Sequence, residues 1–75
     1  MLRKTNGATI RVLREALGIK QISLAARAGI SRSHMCDIEL GAEQPALATV
    51  QRIADELGVS LDAITYPAPE ATVRA

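Results

Sequence analysis

The amino-acid sequence predicts an all-α domain, a compact bundle of five short helices with no strands. Apolar residues recur three and four positions apart, which is typical of helices with one buried face. Glycines follow most of these apolar segments, where a helix commonly ends. A chain of 75 residues has room for one domain. We therefore expect a helical domain over residues 8–65, preceded by a mobile basic arm (1–7) and followed by a flexible tail (66–75).

Two helices are predicted in the first half of the chain. The first covers residues 8–17 and ends at Gly18, and the second covers residues 21–28 and is followed by Gly29. Each helix has an apolar face with helical spacing that we expect to be buried. The expected core residues are Ile10, Leu13 and Leu17 on the first helix, and Leu24, Ala25 and Ala28 on the second.

Three further helices are predicted in the second half. The third covers residues 32–40 and begins after Ser31, whose hydroxyl can accept a hydrogen bond from a first-turn amide. The fourth covers residues 47–57, and a short fifth helix over residues 61–65 has Ser60 as a suitable cap. The expected core residues on these helices are Met35, Ile38, Leu47, Val50, Ile53, Ala54 and Leu57.

Residues 21–39 have the layout of a helix-turn-helix, a motif that places its second helix in the major groove of DNA. The small residues Ala25, Ala28 and Gly29 lie where two short helices would have to cross closely. Ile30, just before the cap, is placed to act as an N-terminal hydrophobic staple. The helix after the turn has short polar side chains on one face and apolar ones on the other.

The charges of the chain are divided between its two halves. Residues 1–36 contain seven lysines and arginines and one glutamate, whereas residues 37–75 contain two arginines and seven carboxylates, which leaves a net charge of +1. The basic half contains most of the predicted helix-turn-helix. Such an uneven distribution is expected of a protein that binds a polyanion. The alternative is chance clustering of solvated charges.

A set of residues dispersed between Ile10 and Ile64 matches the pattern of a known family: Ile10, Arg11, Leu13, Arg14, Gln21, Leu24, Ala25, Gly29, Ile30, Ser31, Ser33, Ile38, Glu39, Gly41, Pro45, Ile53, Ala54, Leu57, Gly58 and Val59. In these residues the chain resembles the lambda-repressor-like DNA-binding domain of phage repressors, Cro proteins and XRE-type bacterial regulators. The resemblance implies a five-helix fold and sequence-specific binding to double-stranded DNA.

The resemblance also implies roles for particular side chains. Gln21 would bond a phosphate and brace the third helix, and Arg14 and Glu39 would form an ion pair that locks the first helix to the third. The positions that would face the groove are Arg32, Ser33, Cys36 and Asp37.

The chemistry of these side chains suits contact with DNA. Arg32 can donate to guanine O6 and N7 or to a phosphate, and Asp37 can accept from cytosine N4 unless it lies to the side. Ser31 is expected to cap the helix first and to contact DNA second. His34 is expected on the surface within reach of a phosphate, and Cys36 near the DNA or the edge of the core.

No metal, cofactor or enzymatic activity is expected. His34 and Cys36 lie two residues apart on a helix and therefore point in different directions, and the sequence has no second cluster to complete a tetrahedral site. There is no glycine-rich phosphate loop after a strand and no pair of carboxylates suited to catalysis. The sequence also has no run of ~18 apolar residues for a membrane span and no apolar signal segment at its start. The expected location is the cytoplasm of a bacterial or phage-infected cell.

The leading hypothesis is a phage-type repressor that blocks a promoter by inserting the third helix into the major groove of its operator. The arm residues Arg3 and Lys4 would add grip on DNA. A weak homodimer is expected through the fourth and fifth helices or the tail, where Ile64 and Tyr66 are candidates. The alternative is a monomer that relies on Arg3 and Lys4 for extra grip on DNA.

A second hypothesis is an antitoxin-like or anti-regulator module that binds protein through a helix-turn-helix fold. It is favoured modestly by Asp37 and by Glu43, which stands in a loop that is often basic in the resembled family. Its contact surface would consist of the apolar residues Val12, Ile22 and Leu40.

Overall fold

Four α-helices packed around one core form the body of the molecule. The computed structural model describes residues 2–68. In chain order the elements are β1 (Leu2–Thr5), α1 (Gly7–Ala16), α2 (Gln21–Ala28), α3 (Arg32–Leu40), α4 (Leu47–Leu57), a 3₁₀ helix (Leu61–Ile64) and β2 (Thr65–Ala68). The predicted boundaries of the first helix differ from those of α1 by one residue, and those of α2, α3 and α4 are confirmed.

Side chains that bond to first-turn amides fix where two of the helices begin. The amide oxygen of Asn6 accepts from the backbone N–H of Thr9 at 3.2 Å at the start of α1. The hydroxyl of Ser31 accepts from the backbone N–H of His34 at 3.0 Å at the start of α3, so the predicted cap is confirmed. Ser60, the other predicted cap, makes no such bond.

The fifth predicted helix and the predicted arm are corrected by the structure. The chain forms only one 3₁₀ turn at Leu61–Ile64 and then becomes β2, which pairs antiparallel with β1. The expectations of five α-helices, of a mobile basic arm, of a flexible tail that begins at Tyr66 and of no strands are therefore wrong. Each strand has only four residues and shows no strict alternation of apolar and polar residues, and the pairing joins residues sixty or more positions apart. Met1 and residues 69–75 of the predicted tail lie outside the described residues.

The register of the two strands explains why β2 tolerates a proline. The backbone N–H of Asn6 donates to the carbonyl of Ile64 at 2.8 Å, which marks a hydrogen-bonded position of the ladder. Hydrogen-bonded pairs alternate with non-hydrogen-bonded pairs in antiparallel sheets, so Lys4 and Tyr66 form the next bonded pair. Pro67 then falls at a non-bonded position, where its missing N–H removes nothing from the ladder.

The hydrophobic core joins all four α-helices and the 3₁₀ helix. Two residues predicted for it, Leu17 and Leu47, are 55% and 68% exposed. Both lie at the end of a helix, beyond the cover of the neighbouring elements, and Leu13 is half-buried. Among the described residues, the buried members of the core are Ile10, Leu24, Ala25, Ala28, Met35, Ile38, Val50, Ile53, Ala54, Leu57 and Ile64.

The first residue of α1 lies directly against the end of α3. A Cβ atom on Gly7 would overlap the carbonyl oxygen of Ile38 and lie 2.9 Å from that of Glu39. Only glycine permits this approach of backbone to backbone. The contact holds α1 close to α3, and it brings Arg14 of α1 within reach of Glu39.

Candidate nucleic-acid interface

The turn between α2 and α3 sets the angle at which α3 leaves the body of the protein. Gly29 ends α2 in the left-handed conformation, with φ of 77°. Its N–H bonds to the carbonyl of Ala26, and the N–H of Ile30 bonds to that of Ala25 at 2.9 Å. These bonds close the end of α2. Because Ala28 is buried and small, α3 can cross α2 closely.

The two sides of α3 differ in character. Met35, Ile38 and Glu39 are buried against the other helices. At about 100° per residue, the four predicted groove-facing positions fall within an arc of about 140° on the opposite side. Of these four, Arg32 and Ser33 are exposed, and Cys36 and Asp37 are half-buried. The structure therefore brings together on one surface the residues Arg32, Ser33, Cys36 and Asp37.

A buried ion pair lies behind this surface. The Nε of Arg14 donates to Oε2 of Glu39 at 2.7 Å, and its Nη2 donates to Oε1 at 3.1 Å. A third donor of Arg14, Nη1, bonds to the carbonyl of Ile19 at 2.9 Å. The side chains of Arg14 and Glu39 are only 11% and 3% exposed. The hydrogen bonds with Glu39 raise the pKa of Arg14 above its ordinary value despite burial, so this guanidinium remains charged at every pH of ordinary use.

Gln21 connects this ion pair to the exposed surface of α3. Its Nε2 donates to Oε1 of Glu39 at 3.0 Å, and its Oε1 accepts from Nη1 of Arg32 at 3.5 Å. The resemblance implies a brace between α2 and α3, but the sequence predicts neither of these two bonds. The two partners of Gln21 lie eighteen and eleven residues away, and helical spacing carries no information about such contacts.

His34 and Arg3 already have partners within the protein. Nε2 of His34 lies 2.9 Å from Oε1 of Glu43 in the loop after α3. Arg3 is held in β1, where it donates to the side chain and the carbonyl of Thr65 at 2.8 and 3.2 Å and lies 3.7 Å from Asp62. The prediction of Arg3 on a free arm is therefore wrong. Lys4, also part of β1, is exposed opposite Tyr66.

Residues 2–68 were also compared with the requirements of a metal site and of a membrane span. Among residues 2–68 there is no group of three or more histidine, cysteine or acidic side chains placed to hold a metal ion. Within the same range, no helix combines the length and apolarity that crossing a membrane requires.

The three apolar residues of the second hypothesis are exposed: Val12, Ile22 and Leu40.

Comparison with known proteins shows the same layout elsewhere. The helix-turn-helix family profile (HTH_3) matches residues 10–64. The immunity repressor protein of Bacillus phage phi105 is 37% identical over 60 residues, which are 80% of this chain and 42% of that protein. The chain thus spans less than half the length of that repressor.

Two solved structures share the fold. The restriction-modification controller protein C.AhdI from Aeromonas hydrophila superposes with a TM-score of 0.73 at 30% identity, over 76% of this chain and 86% of that one. The P22 c2 repressor, solved in complex with a synthetic operator, superposes with a TM-score of 0.72 at 27% identity, over 75% of this chain and 85% of that one.

Proposed function

Because the chain belongs to the helix-turn-helix family, we propose that it is a sequence-specific regulator of transcription that binds double-stranded DNA and represses a promoter by occupying it. The observation that carries this proposal is the outer surface of α3, where Arg32, Ser33, Cys36 and Asp37 lie together over a rigid buried network. The P22 c2 repressor, which shares the fold, was solved with an operator. The partner proposed here is likewise a double-stranded DNA operator.

The size and chemistry of α3 suit the major groove, which is about 12 Å wide and admits one helix. Arg32, in the first turn, would donate to guanine or to a phosphate. Asp37, one and a half turns further along, would accept from the N4 amino group of cytosine and repel an acceptor in its place. Ser33 and Cys36 are short enough to let the helix axis approach the bases.

The phosphates on either side of the groove would meet cations and helix amides. Lys20 and Arg27 are exposed at the two ends of α2. The N-terminus of α2 presents free backbone N–H groups, which favour a phosphate. We propose that Ser31 and His34 contribute after their structural roles as a cap and as a partner of Glu43. Contacts with six to eight phosphates would make the affinity fall steeply with salt.

We also propose a weak homodimer through the expected region, the fourth and fifth predicted helices, but with different residues in contact. Ile64 is fully buried and cannot be part of an interface, whereas Tyr66 is 43% exposed. An apolar groove beside β1 includes Pro45, Leu47 and Leu61. Burying the exposed Leu47 is the favourable contact that a second copy would supply. Sedimentation equilibrium should show dissociation in Leu47→Lys but not in the matched surface variant Leu40→Lys.

Selection from a pool of random duplexes tests the proposed function. We expect one sequence motif to be enriched, and a palindromic motif with half-sites about one helical turn apart would support the dimer. Arg32→Ala should reduce that enrichment, whereas Gln51→Met on the exposed side of α4 should not. If no sequence is enriched even at low salt, the regulator proposal fails. The apolar residues around Ile22 would then be the surface to examine for a protein partner.

A further inference from the structure

We infer that Glu43 is a positioning residue, which makes the contact of His34 with a DNA phosphate depend on the uptake of a proton. This inference rests on the proposed function, in which His34 meets the DNA backbone, and it predicts that DNA is bound more tightly as the pH falls. It is carried by the contact between Nε2 of His34 and Oε1 of Glu43, which lie 2.9 Å apart.

The contact with Glu43 determines which ring nitrogen of His34 carries the proton. A carboxylate only accepts hydrogen bonds, so the nitrogen that faces it must be the donor. A neutral imidazole has one donor and one acceptor nitrogen, and Nδ1 is then left as the acceptor. No hydrogen bond joins Nδ1 to any of residues 2–68, and the side chain of His34 is 35% exposed. Nδ1 is therefore the nitrogen available to a phosphate.

Only the protonated ring can bond to both anions at once. A phosphate oxygen, like a carboxylate, accepts hydrogen bonds, so the neutral ring of His34 would direct a lone pair towards it. The imidazolium form donates from both nitrogens, to Glu43 through Nε2 and to the phosphate through Nδ1. The complex with DNA thus favours the protonated ring, because a neighbouring negative charge stabilises a cation. The chain contains one histidine, so this proton is assigned to His34.

The position of His34 on α3 suits contact with the DNA backbone. It lies in the first turn, about 60° around the helix axis from Asp37, which is the nearest of the proposed groove-facing residues. Its backbone N–H is bonded to the hydroxyl of Ser31, which fixes the start of the helix. A side chain on the flank of a helix in the major groove meets the phosphates that border the groove, and such contacts position the protein.

The loop after α3 is bonded on both sides of Glu43. The backbone N–H of Ala42 donates to the carbonyl of Asp37 at 2.8 Å. Oε1 of Gln44 accepts from the backbone N–H of Thr5 in β1 at 3.0 Å. The loop is thus tied to α3 before Glu43 and to the sheet after it. These bonds hold the carboxylate in place when a phosphate approaches.

The other charged groups near this end of α3 keep their charge while the imidazole titrates. Asp37 lies on the same helix, one turn beyond His34. Arg52 of α4 reaches the turn before α3, where its Nη1 would lie 2.9 Å from a Cβ atom on Gly29. Carboxylates and guanidinium groups do not titrate between about pH 5.5 and 7.5. A change of DNA affinity in that range therefore reports on His34.

Fluorescence anisotropy with the selected duplex, at constant ionic strength, measures this dependence. The dissociation constant of the wild type should rise about tenfold from about pH 5.5 to 7.5, the effect of one surface contact between opposite charges. In His34→Gln it should change less than about twofold, because an amide donates at every pH. In Glu43→Gln the rise should fall below about threefold, because the new amide can donate to Nε2 and leave an Nδ1–H for the phosphate.

Glu56→Gln is the matched control, since it removes an exposed carboxylate of α4. It should keep the pH dependence of the wild type. The ¹⁵N chemical shifts of the imidazole ring test the first step without DNA. At about pH 8.5, where imidazoles are neutral, His34 of the free wild type should carry its proton on Nε2. Glu43→Gln should show a larger share of the Nδ1–H form.

Two results would overturn the inference while the proposed function stands. One is a neutral His34 that carries its proton on Nδ1 in the free wild type. The other is sequence-specific binding with the same pH dependence in the wild type and in Glu43→Gln. Absence of binding to any duplex would overturn the proposed function and the proton uptake together, even where the ring shifts place the proton on Nε2.

Discussion

The substitution Arg14→Met should destabilise the protein far more than any other loss of one charge on α1. It removes two of the three hydrogen-bond donors of Glu39 and leaves that carboxylate, 3% exposed, with Gln21 alone. Breaking a buried pair in this way costs about 3–5 kcal/mol. A domain of this length has a free energy of unfolding of about 4–11 kcal/mol in total. The melting temperature should therefore fall by well over ~10 °C.

The neighbouring pair Arg11–Glu15 provides the matched control. Its N–O distance is 3.2 Å on the same helix, but both side chains are more than half exposed. Arg11→Met should therefore cost no more than about 0.5 kcal/mol. Urea and thermal unfolding followed by circular dichroism measure both variants. Arg14→Met/Glu39→Met should recover most of the lost stability. If Arg14→Met and Arg11→Met lower the free energy of unfolding equally, the reasoning is refuted. Loss of a buried partner would then cost no more than loss of an exposed one.

Three further predictions concern stability. Gly7→Ala should cost about 1–3 kcal/mol in urea unfolding, because its methyl group would force α1 away from the α3 backbone; a stabilising effect would contradict the close contact. Ser31→Ala should cost about 1 kcal/mol and Ser60→Ala almost nothing, because only Ser31 makes a cap bond; equal losses would be inconsistent with this difference. Because the pKa of Arg14 is raised in the folded protein, its pairing stabilises the fold at every pH below the pKa of an unfolded arginine. This stabilisation is lost only as the pH rises through the pKa of Arg14 in the folded protein. The stability difference between wild type and Arg14→Met should thus be constant from about pH 7 to 10, and a decline across that range would contradict the assignment.

The helices could be predicted from the sequence because their signals are local. Glycines end α2, α3 and α4 in left-handed conformations, and apolar spacing places residues such as Leu24 and Ile53 in the core. The errors occur where the structure depends on distant contacts. Leu47 has the spacing of a core residue, but it is the first residue of α4 and its side chain is exposed. β1 and β2 pair residues sixty or more positions apart, so neither strand carries a local signal of its partner.

The position of the candidate site could be predicted from the sequence, but the hydrogen bonds and ion pairs around it could not. The resemblance implies the four outer positions of α3, and helical geometry places them on one side of that helix. The bond of Gln21 to Glu39 and that of His34 to Glu43 each depend on how one element lies relative to another. The sequence showed no pairing between β1 and β2 that would tie Arg3 into the sheet.

The most direct test of the proposed interface is an NMR titration of the ¹⁵N-labelled chain with a duplex recovered by selection. If α3 enters the major groove, the largest changes in amide chemical shift should be at residues 31–37, with Gln21 next. The amides of Val12 and Leu40, on the surface of the alternative hypothesis, should change little. Large changes at Val12 and Leu40 with none at residues 31–37 would contradict the account, because DNA would then be bound by a surface other than the outer side of α3.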